Sequence, residues 1–226
     1  MSYKAIIFDL DGTVLNTAQG LAVAVNKARV AMGLNEQPVE ELAGMVGNGA
    51  RKLIARSIAR DKGEGVAAED VIDSDEVAEL LAIDRKIYLE CCIAYTTPYD
   101  GVIARLRHRH DADIKIAVLS NKDHDATFKL CDFFFHDMLD DIRGHREGVA
   151  LKPDPEPVML TLEKLGVKAS DAVLVGDSEV DIRLARNCNM DIISVDWGFK
   201  TQDFLFTNGA SVVVSTVEEL EAKLLG

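Results

Sequence analysis

Two aspartates one residue apart, Asp9 and Asp11, follow directly on the apolar run IIF and precede Gly12 and Thr13. No basic residue sits beside them in sequence, so their charges repel, and a divalent cation is the best candidate for making that repulsion worthwhile. Two more apolar runs end in the same way. AVL leads into Ser120 and Asn121, and LVG leads into Asp177, with Asp181 four residues later. A fourth segment offers Lys152, flanked by Leu151 and Pro153 ahead of a helical pattern. Mg2+ favours oxygen ligands and keeps several waters, so Asp9, Asp11 and Asp177 with a backbone carbonyl and a phosphate oxygen would suit it. A carboxylate beside such a cation can attack phosphorus, forming an aspartyl phosphate that water later cleaves. Lys152, Ser120, Asn121 and the backbone amides around Gly12 would hold the oxygens of the group in transfer. Asp11 could protonate the leaving oxygen and then activate water.

Such a site needs strand ends that converge. Residues 4–8, 114–119, 172–175, 191–195 and 211–214 are short apolar runs of the kind buried on both faces of a parallel sheet. Helical periodicity separates most of them, over 100–110, 122–131, 155–166 and 179–188. This alternation predicts an α/β fold with a doubly wound, Rossmann-like parallel sheet, whose ligands sit outside the carboxyl ends of the strands. One interval breaks the pattern. Residues 17–95 carry helical stripes (Leu21, Val25, Ala28, Met32; Leu53, Ile54, Ile58; Val77, Leu80, Leu81, Ile87, Tyr88) and no convincing strand. An all-helical domain over 17–95 is therefore expected as an insert in a core formed by 1–16 and 96–226, with polar linkers at 33–38 and 61–70.

Composition limits the partners. Of 226 residues, 25 are Lys or Arg and 38 Asp or Glu, a formal charge of −13, so the molecular field repels nucleic acid and anionic membrane surfaces. An anionic substrate would need positive charge supplied locally. No apolar run approaches the roughly 18 residues of a membrane span. The four cysteines show no CxxC spacing, and the first strand begins close to Met1, which together fit a reducing cytoplasm. The basic stretch RLRHRHD (105–111) lies in a predicted helix of an acidic chain and reads as a solvated face.

FDLDGT, LSN, KPDP and GDSEVD, in that order, resemble the motifs of the haloacid dehalogenase-like hydrolases, in the branch with a helical cap inserted after the first strand. VGNGARKLI in the insert and GHREGVALKPDP look like the phosphoglycolate phosphatases and their near relatives. The resemblance implies that Asp9 is the phosphorylated nucleophile, and that Asp11 is the acid/base and lends its backbone carbonyl to Mg2+. It makes Asp177 the second side-chain ligand, with Asp181 behind it in a supporting position. Ser120 corresponds to the phosphate-binding hydroxyl and Lys152 to the lysine that neutralises nucleophile and phosphate. Substrate contacts are expected from Gly12, Thr13 and Asn121 in the core and from Asn48, Gly49 and Arg51 in the cap.

The implied activity is a magnesium-dependent phosphatase acting on a small phosphate ester, 2-phosphoglycolate first, as a monomer or homodimer. Pyrophosphate, nucleotide or sugar phosphate hydrolysis, or a hexose phosphate mutase, would share all four motifs. An aspartate at position 11 favours phosphoryl transfer over carbon–halogen cleavage, and the context of Lys52 looks like the phosphatases rather than the imine-forming phosphonate relatives. A receiver-like phospho-accepting module is disfavoured by the insert and by GDSEVD. Some residues keep a plainer reading beside the functional one. Ser120 and Asn121 could cap a following helix, glycines 44, 47 and 49 could end and start helices, and Arg51 could be a surface residue.

Overall fold

The computed structural model describes residues 3–225, and the chain divides into two compact units, 1–16 with 97–226 and 17–96. The first unit holds a six-stranded sheet in the order β5 (Asp141–His145), β4 (Lys115–Asp123), β1 (Ala5–Phe8), β6 (Ala172–Gly176), β7 (Asp191–Val195), β8 (Val213–Val214). Every pairing is parallel. Counted within the sheet alone the order is 3-2-1-4-5-6, the doubly wound arrangement, with its topological switch beside β1. All four residues of β1 are buried, as are Ile116 to Leu119 and Ala172 to Val175, because helices cover both faces. Ile7, Leu119 and Leu174 pack with Val158 and Leu162 of α8 (Glu156–Leu165) and with Leu184 and Ala185 of α9 (Glu179–Asn187).

In the first unit, sequence patterns fall short in three places. β5 escapes a search for apolar runs because DIRGH is polar; its buried Asp141 is instead paired with Arg143 at 3.1 Å and Lys164 at 2.8 Å. β4 runs on to Asp123, so the helix expected from residue 122 is α7 (His124–Phe135). In α6 (Val102–Asp111), Arg109 is buried against Glu221 of α11 (Val217–Leu225) at 2.8 Å and is not part of a solvated face. Two further strands, β2 (Leu15–Asn16) and β3 (Thr97–Pro98), pair antiparallel and set the two chain crossings of the core side by side.

The second unit is helical: α1 (Ala18–Ala31), α2 (Val39–Gly44), α3 (Ala50–Lys62), α4 (Ala68–Val71) and α5 (Asp75–Cys91). The stripes read from sequence face one another, with Val25, Ala28, Leu53, Ile54, Ile58, Val77, Leu80 and Leu81 in one buried cluster. The segment 61–70, expected as a linker, contains the end of α3 and the start of α4. Arg29 is fully buried and donates to Asn35 O and Ser57 Oγ, both at 2.7 Å, and to Asp61 Oδ2 at 2.5 Å.

Candidate active site

The chain leaves β1 through a tight turn. Thr13, Val14 and Leu15 N–H groups all donate to Leu10 O, and Gly12 N donates to Leu15 O at 2.9 Å. Gly12 takes φ +81°, and a Cβ there would collide with the Asp177 carboxylate, so position 12 needs glycine for two separate reasons. The turn sets the Asp9 and Asp11 side chains at the strand tip, each 9% exposed.

Lys152 arrives from the segment before α8. Its Nζ donates to Asp9 Oδ1 at 2.8 Å, Asp181 Oδ1 at 2.7 Å and Leu119 O at 3.1 Å. Its backbone is clamped by Asn121, whose side chain donates to Lys152 O at 2.9 Å and accepts from Lys152 N at 2.7 Å. Asn121 thus links two strand-end segments, while Ser120 beside it is buried and accepts from Lys122 N at 3.3 Å. Asp181 is fixed from its other side by Ser178 Oγ at 2.6 Å, and Ser178 is also the N-cap of α9. A buried ammonium is retained only where carboxylates and carbonyls replace its water, and Asp9, Asp181 and Leu119 O do so.

Asp177, directly after β6, is braced by residues 197–199, where the sequence offers Trp197 and Gly198 equally as an edge of the site or as packing. Phe199 N donates to its Oδ2 at 2.8 Å, and Thr13 Oγ1 to its Oδ1 at 3.4 Å. Trp197 Nε1 donates to Thr13 O at 3.0 Å, and a Cβ on Gly198 would strike both the Asp177 carboxylate and Gly12 O. Residues 196–199 follow β7, so the sheet order alone places them at this rim.

The repulsion between Asp9 and Asp11 is relieved by separate lysines. Lys152 takes Asp9, and Lys122 Nζ lies 3.1 Å from Asp11 Oδ2 with its side chain only 6% exposed. Lys122 was hidden in the sequence by the expectation that a helix begins there. Its position directly after Ser120 and Asn121 is the signal that could have revealed it.

Charge is unevenly matched. Asp9, Asp177 and Asp181 each offer an oxygen within 4.8 Å of the others, all buried, with Lys152 as the ammonium among them. Burial pushes the Asp9 carboxyl up to about 7, Lys152 pulling it down and Asp181 and Asp11 adding to the rise. Burial, then Asp9 and Asp181, raise Asp177 well above the carboxylate range. Burial works against the Lys152 ammonium, yet Asp181 and Asp9 hold its pKa above the ordinary lysine value. Burial, followed by Asp177 and Asp11, also raises the Tyr99 phenol. Crowded carboxylates whose ionised forms are penalised, with hard oxygen donors, fit Mg2+. Asp181 belongs to this cluster by distance, while its own oxygens go to Lys152 and Ser178.

The remaining candidates lie in the helical unit. Gly49 is the residue before α3, at φ +83°, Asn48 precedes it, and Arg51 in the first turn of α3 donates to Ile72 O at 3.0 Å.

Residues 6–195 match the model of the haloacid dehalogenase-like hydrolase family. The chain belongs to that family. Phosphoglycolate phosphatases of Psychrobacter arcticus and Aquifex aeolicus are 32% and 30% identical over 202 and 197 residues, covering 88% and 87% of this chain and 86% of each relative. A candidate phosphoglycolate phosphatase from Lactobacillus delbrueckii subsp. bulgaricus superposes with a TM-score of 0.93 at 33% identity, over the whole of both chains. This haloacid dehalogenase-like hydrolase is an enzyme of the phosphatase kind. Among its described residues no helix is long and apolar enough to cross a membrane.

Proposed function

We propose that the protein hydrolyses small phosphomonoesters, 2-phosphoglycolate foremost, by way of an aspartyl phosphate on Asp9 and with Mg2+ at Asp9, Asp177 and the Asp11 backbone carbonyl. The observation that carries this reading is the Lys152 ammonium, 2.8 Å from Asp9 and 2.7 Å from Asp181, with Asp177 beside them at the switch point of the sheet. The phosphoglycolate phosphatase relatives support the choice of first substrate.

In this mechanism an Asp9 oxygen attacks phosphorus and the bond from phosphorus to the ester oxygen breaks. Asp11 gives that oxygen its proton, then accepts one from the water that cleaves the aspartyl phosphate, releasing phosphate and restoring the Asp9 carboxylate. Lys152 holds the phosphoryl oxygens, as Ser120 and Asn121 do from β4, whereas the amides of Gly12 and Thr13, expected from the sequence to help, are taken up inside the turn by Leu15 O and Leu10 O. Mg2+, when bound, would offset the charge that phosphate brings to an already acidic rim. Asn48, Gly49 and Arg51 are assigned to recognition of the ester's acid group, the Arg51 guanidinium being suited to two parallel bonds with a carboxylate.

A panel of phosphate esters with Mg2+, run on the wild type and on Asp9→Asn, tests the reading. The wild type should turn over 2-phosphoglycolate best and Asp9→Asn should be inactive on every ester. Full turnover by Asp9→Asn would reject the covalent route, and a preference for pyrophosphate, nucleotides or sugar phosphates would move the substrate assignment within the same chemistry.

A further inference from the structure

Two buried lysines stand at the carboxyl ends of the strands, and the mechanism above uses one. Lys152 is committed to Asp9, Asp181 and Leu119 O. Lys122 is 8% exposed and its ammonium is directed at a different acid, Asp11, at 3.1 Å.

The strand itself is irregular at that point. β4 and β5 pair in register up to Leu119 with Arg143 and again at Asp123 with His145, so the register shifts across residues 120–122. Such irregularities re-aim side chains beside functional sites. Here Ser120, Asn121 and Lys122 are all buried in succession, and Lys122 N is tied back to Ser120 Oγ. The deviation that presents Ser120 and Asn121 to the rim also delivers Lys122 to Asp11.

We infer that Lys122 is a positioning residue for phosphoryl transfer: its ammonium holds the Asp11 carboxylate in the orientation from which it exchanges a proton with the ester oxygen. A general acid must lie within hydrogen-bond reach of that oxygen, about 2.6–3.2 Å, and a carboxylate on a turn has a side-chain rotation that must be fixed. Lys122 acts through Asp11 and is given no contact with substrate. The inference rests on the reading of Asp11 as the acid/base, and the experiment separates the two.

kcat/KM is measured for ethyl phosphate, whose poor leaving group needs a proton, and for 4-nitrophenyl phosphate, whose leaving group does not. Wild type, Asp11→Asn, Lys122→Met and Lys122→Arg are compared. kcat/KM reports the transfer to Asp9 and excludes the later hydrolysis, and neither leaving group carries a carboxylate that Lys122 could attract. Lys122→Met should lose roughly 10- to 100-fold on ethyl phosphate, part of the ~10²–10⁴ that general acid–base catalysis supplies, and less than about threefold on the nitrophenyl ester. Lys122→Arg should recover most of the loss. The ratio of the two rates is taken on one sample of each variant, so a fraction of unfolded protein cancels. An equal loss on both esters, or no recovery with arginine, overturns the inference while Asp11→Asn keeps its selective loss. If Asp11→Asn itself shows no selectivity, the acid/base reading fails and takes the role of Lys122 with it.

Discussion

Asp9 and Lys152 are 143 residues apart in sequence and depend on each other more than on any chain neighbour. The ammonium offsets Asp9 and Asp181 together, so removing it strands two buried carboxylates. Lys152→Met should destabilise the protein by about 3–5 kcal/mol, the usual consequence of breaking a buried pair, and abolish turnover. Adding Asp181→Asn should restore part of that stability, since one of the two uncompensated charges is gone. Urea denaturation of the single and double variants reads both effects, and a double variant no more stable than Lys152→Met would show that Asp181 is neutralised by something else.

At the scale of elements, the loop after β7 is a wall of the site. A methyl group at Gly198 would occupy the space of the Asp177 carboxylate and of Gly12 O. Gly198→Ala should therefore weaken Mg2+ binding by roughly 10- to 100-fold, as loss of a ligand's supporting contacts does, measured by titration calorimetry. Gly44→Ala meets nothing within 4 Å and should bind Mg2+ as the wild type does. The helical unit has its own polar core. Arg29 on α1 joins Asn35, Ser57 on α3 and Asp61, so Arg29→Ala should cost roughly 2–4 kcal/mol in thermal unfolding: the Ser57 hydroxyl and Asp61 Oδ2 each lose a donor, and among the described residues only Gln37 Nε2, 2.9 Å from Asp61 Oδ1, still serves that carboxylate. An unchanged melting temperature would mean that this network contributes no net stability.

For the whole molecule, the acidic cluster ties stability to pH. Asp9, with a pKa raised to about 7, keeps a proton in the folded protein where the unfolded chain has already lost it. Its contribution is therefore favourable below the ordinary carboxylate pKa and is lost as pH rises from about 4 through 7, and Asp177 acts in the same direction. A cation held by the deprotonated pair, as proposed for Mg2+, would offset that loss. Mg2+ should raise the melting temperature clearly at pH 8 and little at pH 5. Equal shifts at both pH values would show that the metal does not compete with protons at these carboxylates.

The alternation of apolar runs and helical stripes made the doubly wound core and the helical insert legible, because burial on two sheet faces and along one helix face leaves a periodic mark in the chain. The acids and the lysine at strand ends were legible for the same reason: in a parallel sheet those ends share one rim. Contacts without a local pattern were not legible. β5 is a polar edge strand whose buried Asp141 is satisfied by Arg143 and Lys164, so no apolar run marks it. Lys122 became visible only when β4 extended past the expected helix start, while Trp197 and Gly198, which the sequence offers equally as an edge of the site or as packing, were set against Asp177 and Gly12 only when β7 took its place beside β6. Sequence determined which chemical groups reach the strand ends. Tertiary structure decided which lysine serves which carboxylate, since that depends on side-chain direction and strand order, which spacing along the chain does not encode.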